Sequence, residues 1–329
     1  MSVTIKDVAE KAGVSYSTVS KALRNSPLVK MDTKEKIISV AHELGYQPNA
    51  AARRLVSKKS FTIGVVWPSV QRVALSKLIT EINKELEKRN YTMLISIHEI
   101  ESAISTFQQF QVDAILVFNY DHNLLKEKIQ SSSIPILNYG IDKDLPQRTI
   151  DVSRKKAIQI AVQHLVKLGH KQIAYIGSSQ KDDPLQVEKM IGFKEEMKFF
   201  HLPNQPHLIP PTFGLESKDG YLATRALLQE EEIPTAIISG SYDLTRGIME
   251  ALQESNLTIP KDISLISYDQ IPEMEKIDPP ITTVGVPQSE ISLKVVDALI
   301  SLINEKSIHT DLVLEPTIEL RSSTKAFKK

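Results

Sequence analysis

The sequence contains no cysteine and no uninterrupted apolar run of about eighteen residues. The first absence excludes disulfides, thiolate metal sites and cysteine nucleophiles. The second excludes a membrane-spanning helix of ordinary length. The opening residues, MSVTIKDVAE, also lack the basic segment and apolar stretch that mark a secretory signal. Together these absences predict a cytoplasmic protein that folds without covalent cross-links.

Motifs of catalysis are missing as well. The chain has no G-x-S-x-G turn, no phosphate-binding P-loop and no H-E-x-x-H helix. Its eight histidines are scattered, and nothing in the spacing of the carboxylates indicates the acid pair of a glycosidase. The sequence therefore predicts a protein that is not an enzyme and that has neither a cofactor nor a metal site.

The overall net charge is zero, with 40 basic and 40 acidic residues, which taken alone disfavours a nucleic-acid partner. The balance is not local, however. Residues 1–60 hold eleven Lys and Arg against five Asp and Glu, a net charge of +6, and the rest of the chain carries −6. This asymmetry predicts a small basic module on an acidic body. A length of 329 residues is consistent with two or three folded units.

The basic segment has apolar residues at helical spacing and no alternating strand pattern. Thr4 and Asp7 form a capping signal for a first helix, and Gly13 is a typical helix end. Ser15 can cap a second helix, and a third is predicted from a capping signal at Asp32. Two helices joined by a short glycine turn, with a third helix behind them, are the helix-turn-helix arrangement.

The second helix has a predicted outer face that suits DNA. Tyr16, Ser17 and Lys21 lie on this face near the start of the helix, where a recognition helix meets base edges in the major groove. Lys21 can donate hydrogen bonds to guanine O6 and N7. Spacing alone leaves a plain three-helix bundle with a polar exterior as an alternative. Three further hydroxyls are expected to hold phosphates, with help from helix N-termini: Thr18, Ser20 and Thr33.

The order of the residues is more specific than their spacing. The segments TIKDVAEKAGVSYSTVSKAL and GYQPNAAARRL resemble the DNA-binding headpiece of the lactose-repressor (LacI/GalR) family of transcription regulators. The resemblance implies sequence-specific binding to double-stranded DNA, with Thr4, Ile5 and Arg24 as additional candidate contacts. Lys21 stands where the family usually has arginine. Lysine cannot make the bidentate hydrogen bonds of a guanidinium, so a different or less strict operator preference is expected. Arg24 stands where the family commonly has asparagine.

A short hinge is predicted at residues 48–60. Pro48 disfavours helix before it, and Asn49 can cap the segment AAARRLVS, which is too short for a stable isolated helix. We therefore expect this segment to be helical only on DNA, with an ordinary linker as the alternative. The resemblance implies that Leu55 wedges into the central minor-groove step. The candidate DNA contacts of the hinge are Asn49, Ala52, Arg53 and Leu55.

From Phe61 onward the periodicity changes. Short runs rich in Ile and Val alternate with helical stretches, which predicts βαβ units with buried parallel sheets. The series occurs twice, so two Rossmann-like subdomains are expected, with a ligand bound between them at the strand ends. The fold class predicted is a small all-α helix-turn-helix headpiece plus an α/β body of two Rossmann-like subdomains.

The resemblance extends to the body through HLVKLGHKQIAYIG, DISLISYD and PPITTV. These segments are similar to the family's effector domain, which shares its fold with periplasmic sugar-binding proteins. The chain ends without a leucine heptad tail, so a homodimer is expected rather than a tetramer. The expected domains are a headpiece (1–47), a hinge (48–60) and an effector-binding and dimerisation body (61–329), divided into an N-subdomain (61–152 and 287–311) and a C-subdomain (153–286 and 312–329).

The expected ligand cleft departs from the family pattern. Lys189 replaces the sugar-binding arginine, Ser241 and Tyr242 replace an Asn-Asp pair, and Val286 replaces a glutamine, whereas Asp269 is retained. Aromatic and hydroxyl groups near strand ends are further candidates for stacking and hydrogen bonding. The candidate effector-binding residues are Trp67, Ser69, Lys189, Phe213, Ser241, Tyr242 and Asp269.

The ligand itself is expected to be a sugar or an amino sugar. The amino sugar follows from acids at predicted strand ends or loops, which would favour a cation: Glu99, Glu101, Asp121, Asp151 and Asp269. Because most of the family represses transcription, we expect an effector-controlled repressor. A ligand-dependent activator of the same fold and a carbohydrate-binding protein without a regulatory role are the alternatives.

Overall fold

The chain forms two separate units, Met1–Ser60 and Phe61–Lys329. The expected DNA contacts Arg24, Asn49, Ala52, Arg53 and Leu55, and the acid Asp121, lie outside the residues that the structure describes. The computed structural model describes residues 3–23, 26–46, 59–97, 99–118, 132–140, 148–180, 183–203, 205–304 and 312–327.

The first unit contains three helices: α1 (Ile5–Ala12), α2 (Tyr16–Leu23) and α3 (Met31–Glu43). The predicted start of α1 is confirmed, because the Thr4 backbone N–H donates to Asp7 Oδ2 at 2.7 Å. Its predicted end is also confirmed, with Gly13 in the left-handed region at φ 68°. The predicted cap at Asp32 is wrong: α3 begins at Met31, so Asp32 lies inside the first turn, where its charge favours the positive end of the helix dipole.

Small and branched apolar side chains hold the three helices together. Alanines at the contacts allow close approach of the helix backbones, and Lys11 Nζ at 2.7 Å from Glu43 Oε1 ties α1 to the end of α3. The buried core of this unit consists of Val8, Ala9, Ala12, Val19, Ala22, Val29, Ile37 and Ala41.

The second unit contains two β-sheets, and helices pack on both faces of each sheet. We call the six-stranded sheet and its helices the first lobe. Its strand order is β10-β5-β4-β3-β1-β2 and every pair is parallel. The strands are β1 (Thr62–Val66), β2 (Thr92–Ser96), β3 (Ala114–Phe118), β4 (Ile136–Tyr139), β5 (Thr149–Val152) and β10 (Leu312–Leu314), and the helices are α4 (Val73–Lys88), α5 (Ile100–Phe110) and α10 (Gln288–Ile303).

The five-stranded sheet and its helices form the second lobe. Its order is β11-β9-β8-β7-β6, parallel except for β11 against β9. Two 3₁₀ turns, Pro206–Leu208 and Pro272–Glu275, also belong to it. The strands are β6 (Ile173–Ile176), β7 (Ala236–Ser239), β8 (Ser264–Tyr268), β9 (Thr282–Gly285) and β11 (Thr317–Glu319), and the helices are α6 (Arg154–Lys167), α7 (Pro184–Phe199), α8 (Ser217–Leu227) and α9 (Tyr242–Glu254).

The division of the C-terminal segment differs from expectation. Leu312 pairs with Ile150, and Ser153 N–H donates to Leu314 O at 3.0 Å, so β10 extends the first sheet. Leu314 is buried in the first-lobe core. The first lobe therefore extends beyond the expected end at residue 311 and ends between β10 and β11. Pairing with β5 at the edge of the first sheet and burial of Leu314 hold β10 in the first lobe.

Candidate DNA-binding surface and ligand cleft

Helix α2 has one buried and one exposed face. Val19 and Ala22 are buried in the core of the first unit, whereas Ser17 and Lys21 are exposed and the Tyr16 side chain is 65% exposed. The face expected to meet DNA thus carries an ammonium, a hydroxyl and a phenol ring in solvent. These groups can donate and accept hydrogen bonds at base edges without unpacking the helix.

The hydroxyls at the start of α2 form a small network. Ser15 Oγ lies 2.8 Å from Ser17 Oγ and 2.8 Å from Thr18 Oγ1, and it accepts the Thr18 backbone N–H at 3.2 Å. Ser15 therefore caps the helix, as its position predicts. Thr18, together with Ser20 and Thr33, is only partly exposed. The network holds the Ser17 and Thr18 hydroxyls at the helix N-terminus, the region suited to phosphate contact.

The first residues of the unit are partly committed to helix capping. Thr4 Oγ1 donates to Asp7 Oδ2 at 2.8 Å, and this bond together with the Thr4 backbone N–H lowers the pKa of the Asp7 carboxyl. Ile5 is half-buried and packs against the core. Thr4 is exposed and Ile5 partly exposed, so both can still reach a neighbouring molecule.

In the second unit, a cavity of about 90 Å³ is lined by both lobes. The aromatic rings of Phe118 and Tyr139 come from strand ends of the first sheet, and Tyr268 comes from the end of β8 in the second. Ligands of doubly wound α/β folds bind at these carboxyl ends of strands. The polar and charged lining residues are Arg72, Arg154, Gln186, Lys189, Asp269, Gln270 and Gln288.

Two of the predicted effector-binding residues, Lys189 and Asp269, line this cavity. Lys189 lies on α7 and is 3% exposed. Its Nζ donates to Gly240 O at 2.8 Å and lies 3.7 Å from the centre of the Tyr268 ring. Asp269 follows β8 at φ 79°, and its Oδ2 accepts the Tyr242 backbone N–H at 2.9 Å.

The other predicted effector-binding residues do not line the cavity. Trp67 is buried in the first-lobe core, with its ring centre 4.6 Å from that of Phe118, because the end of β1 points into the apolar layer. Ser69 accepts the Gln71 backbone N–H at 3.1 Å and so stabilises a turn. Phe213 is 77% exposed to solvent.

Ser241 and Tyr242 are likewise not among the residues that line the cavity. Ser241 is buried at the N-cap of α9, where its Oγ accepts the Leu244 backbone N–H at 3.3 Å. Tyr242 packs into the second-lobe core, and its backbone N–H serves to hold Asp269. Both residues therefore stabilise the structure around the cavity without lining it. Sequence position alone could not separate a helix cap from a ligand contact.

Two basic residues of the cavity, Arg72 and Arg154, are not among those that the sequence predicts for effector binding. Arg154 is buried and pairs with Asp151; burial opposes its charge, but Asp151 outweighs burial and raises its pKa. Arg72 precedes α4, and its Nε lies 3.8 Å from Asp243 Oδ2. Each arginine follows shortly after a strand of the first sheet, and that position is the signal that could have identified them.

Burial lowers the pKa of Lys189 to about 7, with Arg72 and Arg154 adding to the effect and Asp269 opposing it. Tyr139 is buried and Tyr268 is partly buried, and loss of hydration raises the pKa of Tyr139 to about 12 and also raises that of Tyr268. The cleft is therefore a place of low dielectric, where charged groups interact strongly and lose hydration.

Ion pairs connect the lobes at the cleft. Besides Arg72 and Asp243, Lys77 Nζ on α4 lies 2.6 Å from Glu273 Oε1 in the second lobe. The hydrogen bond to Glu273 raises the pKa of Lys77, and burial raises that of Asp243. Oppositely charged groups of the two lobes thus meet in this structure.

No helix in the described part of the chain is long and apolar enough to cross a membrane. The same residues contain no group of three or more His, Cys, Asp or Glu side chains placed to hold a metal ion.

Comparisons with known proteins agree with this architecture. A model of bacterial regulatory proteins of the lacI family matches residues 4–49, and a periplasmic binding protein-like domain matches residues 162–324. The probable HTH-type transcriptional repressor ExuR of Bacillus subtilis (strain 168) is 31% identical over 96% of each chain. Catabolite control protein A of Priestia megaterium is 29% identical, covering 99% of this chain and 100% of its own.

A solved structure of the lac repressor dimer bound to operator and the anti-inducer ONPF superposes with a TM-score of 0.83. It is 25% identical in sequence, with 99% of this chain and 100% of that chain covered. The fold and the matches define a DNA-binding transcription regulator with an effector-binding body, a class without enzymatic activity. The chain belongs to the lacI family of bacterial regulatory proteins.

Proposed function

We propose that this protein is a cytoplasmic, dimeric repressor that reads a pseudo-palindromic operator through α2 and is controlled by a small molecule held in the cleft at Lys189 and Asp269. The observation that carries the proposal is the pairing of an exposed, polar recognition face with a cavity lined by two lobes. A two-fold axis would place two headpieces in successive major grooves.

On DNA, the roles divide by chemistry. Lys21 donates to guanine, and Tyr16 and Ser17 offer hydroxyl and ring contacts to neighbouring bases. The remaining candidate residues contact the sugar–phosphate backbone, Ile5 only by apolar contact or its backbone N–H, and such contacts position the headpiece but carry no sequence information: Thr4, Ile5, Thr18, Ser20 and Thr33. The net charge of +6 on residues 1–60 supplies the salt-dependent part of the affinity.

In the cleft, the small molecule bridges the lobes. Lys189 and Asp269 belong to the second lobe, and Phe118 and Tyr139 to the first, so a ligand between them changes how favourable closure is. A ligand can shift an equilibrium only by binding one state better than the other. The hinge is too short to form a stable helix in isolation. A modest shift in the closure of the lobes can therefore order or release it.

The test is selection of binding sites from a random pool of duplex DNA by the full chain. We expect recovered sites to be inverted repeats with a fixed spacing between half-sites. Operator affinity is then measured with and without a library of sugars and sugar derivatives, and at least one should change it by tenfold or more. Recovered sites without two-fold symmetry contradict the dimer, and an affinity that no ligand changes contradicts the control by the cleft.

A further inference from the structure

The charges around the cleft are not those expected for an amine. Of the described residues that line the cavity, Arg72, Arg154 and Lys189 are basic and Asp269 alone is acidic. Glu99 and Glu101 lie at the N-terminus of α5 and do not line it, and Asp151 is paired with Arg154. The acidic lining that would favour an amino sugar is therefore absent from this part of the molecule.

We propose that the effector carries an acidic group, a carboxylate or a phosphate, that binds between Lys189 and Arg72. The proposal rests on the cleft being the effector site, as argued above. It assigns the chemical class of the ligand, a small hydroxylated acid.

Lys189 is the strongest reason for an anion. It is buried, and among its described neighbours the only hydrogen-bond acceptor within reach of Nζ is Gly240 O, so two of the three ammonium donors are unused. The Tyr268 ring and the charge of Asp269 compensate the ammonium only in part. A buried cation without a hydrogen-bonded anionic partner is costly, and an incoming anion removes that cost.

The two arginines differ in how far they are already neutralised. Arg154 is paired with Asp151 and lies 4.0 Å from Glu188, so it acts mainly as fixed background charge. Arg72 meets Asp243 only at 3.8 Å, and its Nε is buried with no hydrogen-bond partner in the described structure. The Arg72 guanidinium can therefore donate hydrogen bonds to a ligand, and it does so from the lobe opposite Lys189.

Gln186 supplies the second half of the argument. It is 3% exposed, lines the cavity one turn before Lys189 on α7, and its Oε1 has no hydrogen-bond partner among the described groups. An amide oxygen in this position can accept a hydrogen bond from a ligand hydroxyl, and so can the carboxylate of Asp269. The rings of Phe118, Tyr139 and Tyr268 suit the C–H face of a ligand. Cationic donors beside hydroxyl acceptors fit a sugar acid or a sugar phosphate.

The experiment compares four ligands on one skeleton by isothermal titration calorimetry with the full chain at pH 7: glucose, glucosamine, glucuronate and glucose 6-phosphate. We expect one of the two anions to bind at least tenfold more tightly than glucose and glucosamine. Which anion binds distinguishes a carboxylate from a phosphate. Equal or tighter binding of glucose or glucosamine overturns the proposal, and so does the absence of binding by both anions.

Three variants assign the effect to Lys189. Lys189→Met should abolish the tenfold preference for the anion, and Lys189→Arg should retain it. Lys198→Met is the matched control, because Lys198 is an exposed lysine on the same helix, and it should behave as the parent. Far-ultraviolet circular dichroism checks folding; should Lys189→Met fail to fold, loss of the preference in Lys189→Arg overturns the proposal and its retention supports it.

Proton uptake is a second, independent measurement. Asp269 and Asp183 favour the ammonium form of Lys189, while burial, Arg72 and Arg154 oppose it. An anion tips this balance towards the ammonium, so titrations in buffers of different ionisation enthalpy should show more proton uptake at pH 7 in the parent than in Lys189→Arg. Arginine stays protonated from pH 7 to 10, so Lys189→Arg removes the contribution of residue 189 to the uptake. Equal proton uptake by the parent and by Lys189→Arg at every pH from 7 to 10 contradicts the contact with Lys189.

The outcomes also separate this inference from the proposed function. An anion that binds with the expected preference but leaves operator affinity unchanged contradicts the control of DNA binding and supports the ligand class. A neutral sugar that binds more tightly than either anion and shifts operator affinity supports the control of DNA binding and contradicts the ligand class.

Discussion

Arg72 and Asp243 face each other from opposite lobes, with Nε 3.8 Å from Oδ2 at the edge of the ligand cleft. The pair joins the start of α4 to the first turn of α9, and the nearby Lys77 and Glu273 make a shorter second link at 2.6 Å. Because both ion pairs join residues of different lobes, they stabilise the arrangement of the lobes seen in this structure, and a ligand between the lobes acts on the same equilibrium.

Glu273→Gln should therefore favour the open state. Because a partly exposed ion pair stabilises only modestly, ligand affinity should fall by up to about fivefold, and small-angle scattering should detect a larger radius of gyration. Glu275→Gln, an exposed acid in the same 3₁₀ turn, is the control and should change neither quantity. Unchanged ligand affinity in Glu273→Gln contradicts the role of this pair in closure.

Lys21→Ala should alter base preference rather than simply weaken binding. Loss of one base contact costs about 1–3 kcal/mol on the preferred operator and relaxes selection at that base pair. Lys21→Arg restores the two-pronged donor and should sharpen the preference for guanine. Lys36→Ala, at an exposed position on α3, should at most reduce the salt dependence. Identical selected sites for Lys21→Ala and the parent would show that Lys21 does not read a base.

The hinge predictions rest on the sequence. Leu55→Ala and Pro48→Gly should weaken binding to the selected operator far more than binding to random DNA, because wedging into a base step is possible only when the hinge is ordered. Lys58→Ala, close to the same segment, should reduce the salt dependence without changing the ratio. Fluorescence anisotropy on both DNAs measures the ratio, and equal losses on the two exclude the wedge.

Stability should respond to pH through Lys189. Its pKa is about 7 in the folded protein against 10.5 for the free side chain, so between these values the unfolded chain binds the extra proton. The free energy of unfolding should consequently rise with pH from 7 to 10.5. Lys189→Met, which does not titrate, should flatten this part of the profile in chemical denaturation, whereas Lys198→Met should not. A parallel profile for Lys189→Met and the parent would disprove the shifted pKa.

Gly247 marks a close contact between α8 and α9. A Cβ at this position would lie 1.8 Å from Ser217 O, a backbone atom that cannot move away cheaply. Gly247→Ala should lower the free energy of unfolding by about 1–3 kcal/mol or more, measured by thermal or chemical denaturation. Arg246→Ala, at the exposed neighbouring position, is the control. A stability equal to that of the control would mean that the two helices can separate without cost.

Local chemistry made several elements predictable. The cap at Thr4, the turn at Gly13 and the alternation of Ile- and Val-rich runs with helical stretches each depend on residues close in the chain. Lys189 and Asp269 could be named because each stands at a recognisable place in a motif. The cap expected at Asp32 failed because the extended backbone ends at Lys30 and Met31 is already helical, which leaves Asp32 inside the first turn.

The sequence by itself determined the class of protein: a basic helical headpiece with an exposed polar helix face, followed by two α/β series. Only the tertiary structure decided the sign of charge in the cleft. Counting acids at strand ends favoured a cation, whereas folding brings Arg72, Arg154 and Lys189 into one cavity and leaves Asp269 as the acid among the described lining residues. The physical reason is distance: these groups come from segments more than thirty residues apart, and their charges act together only once folding brings them into one cavity.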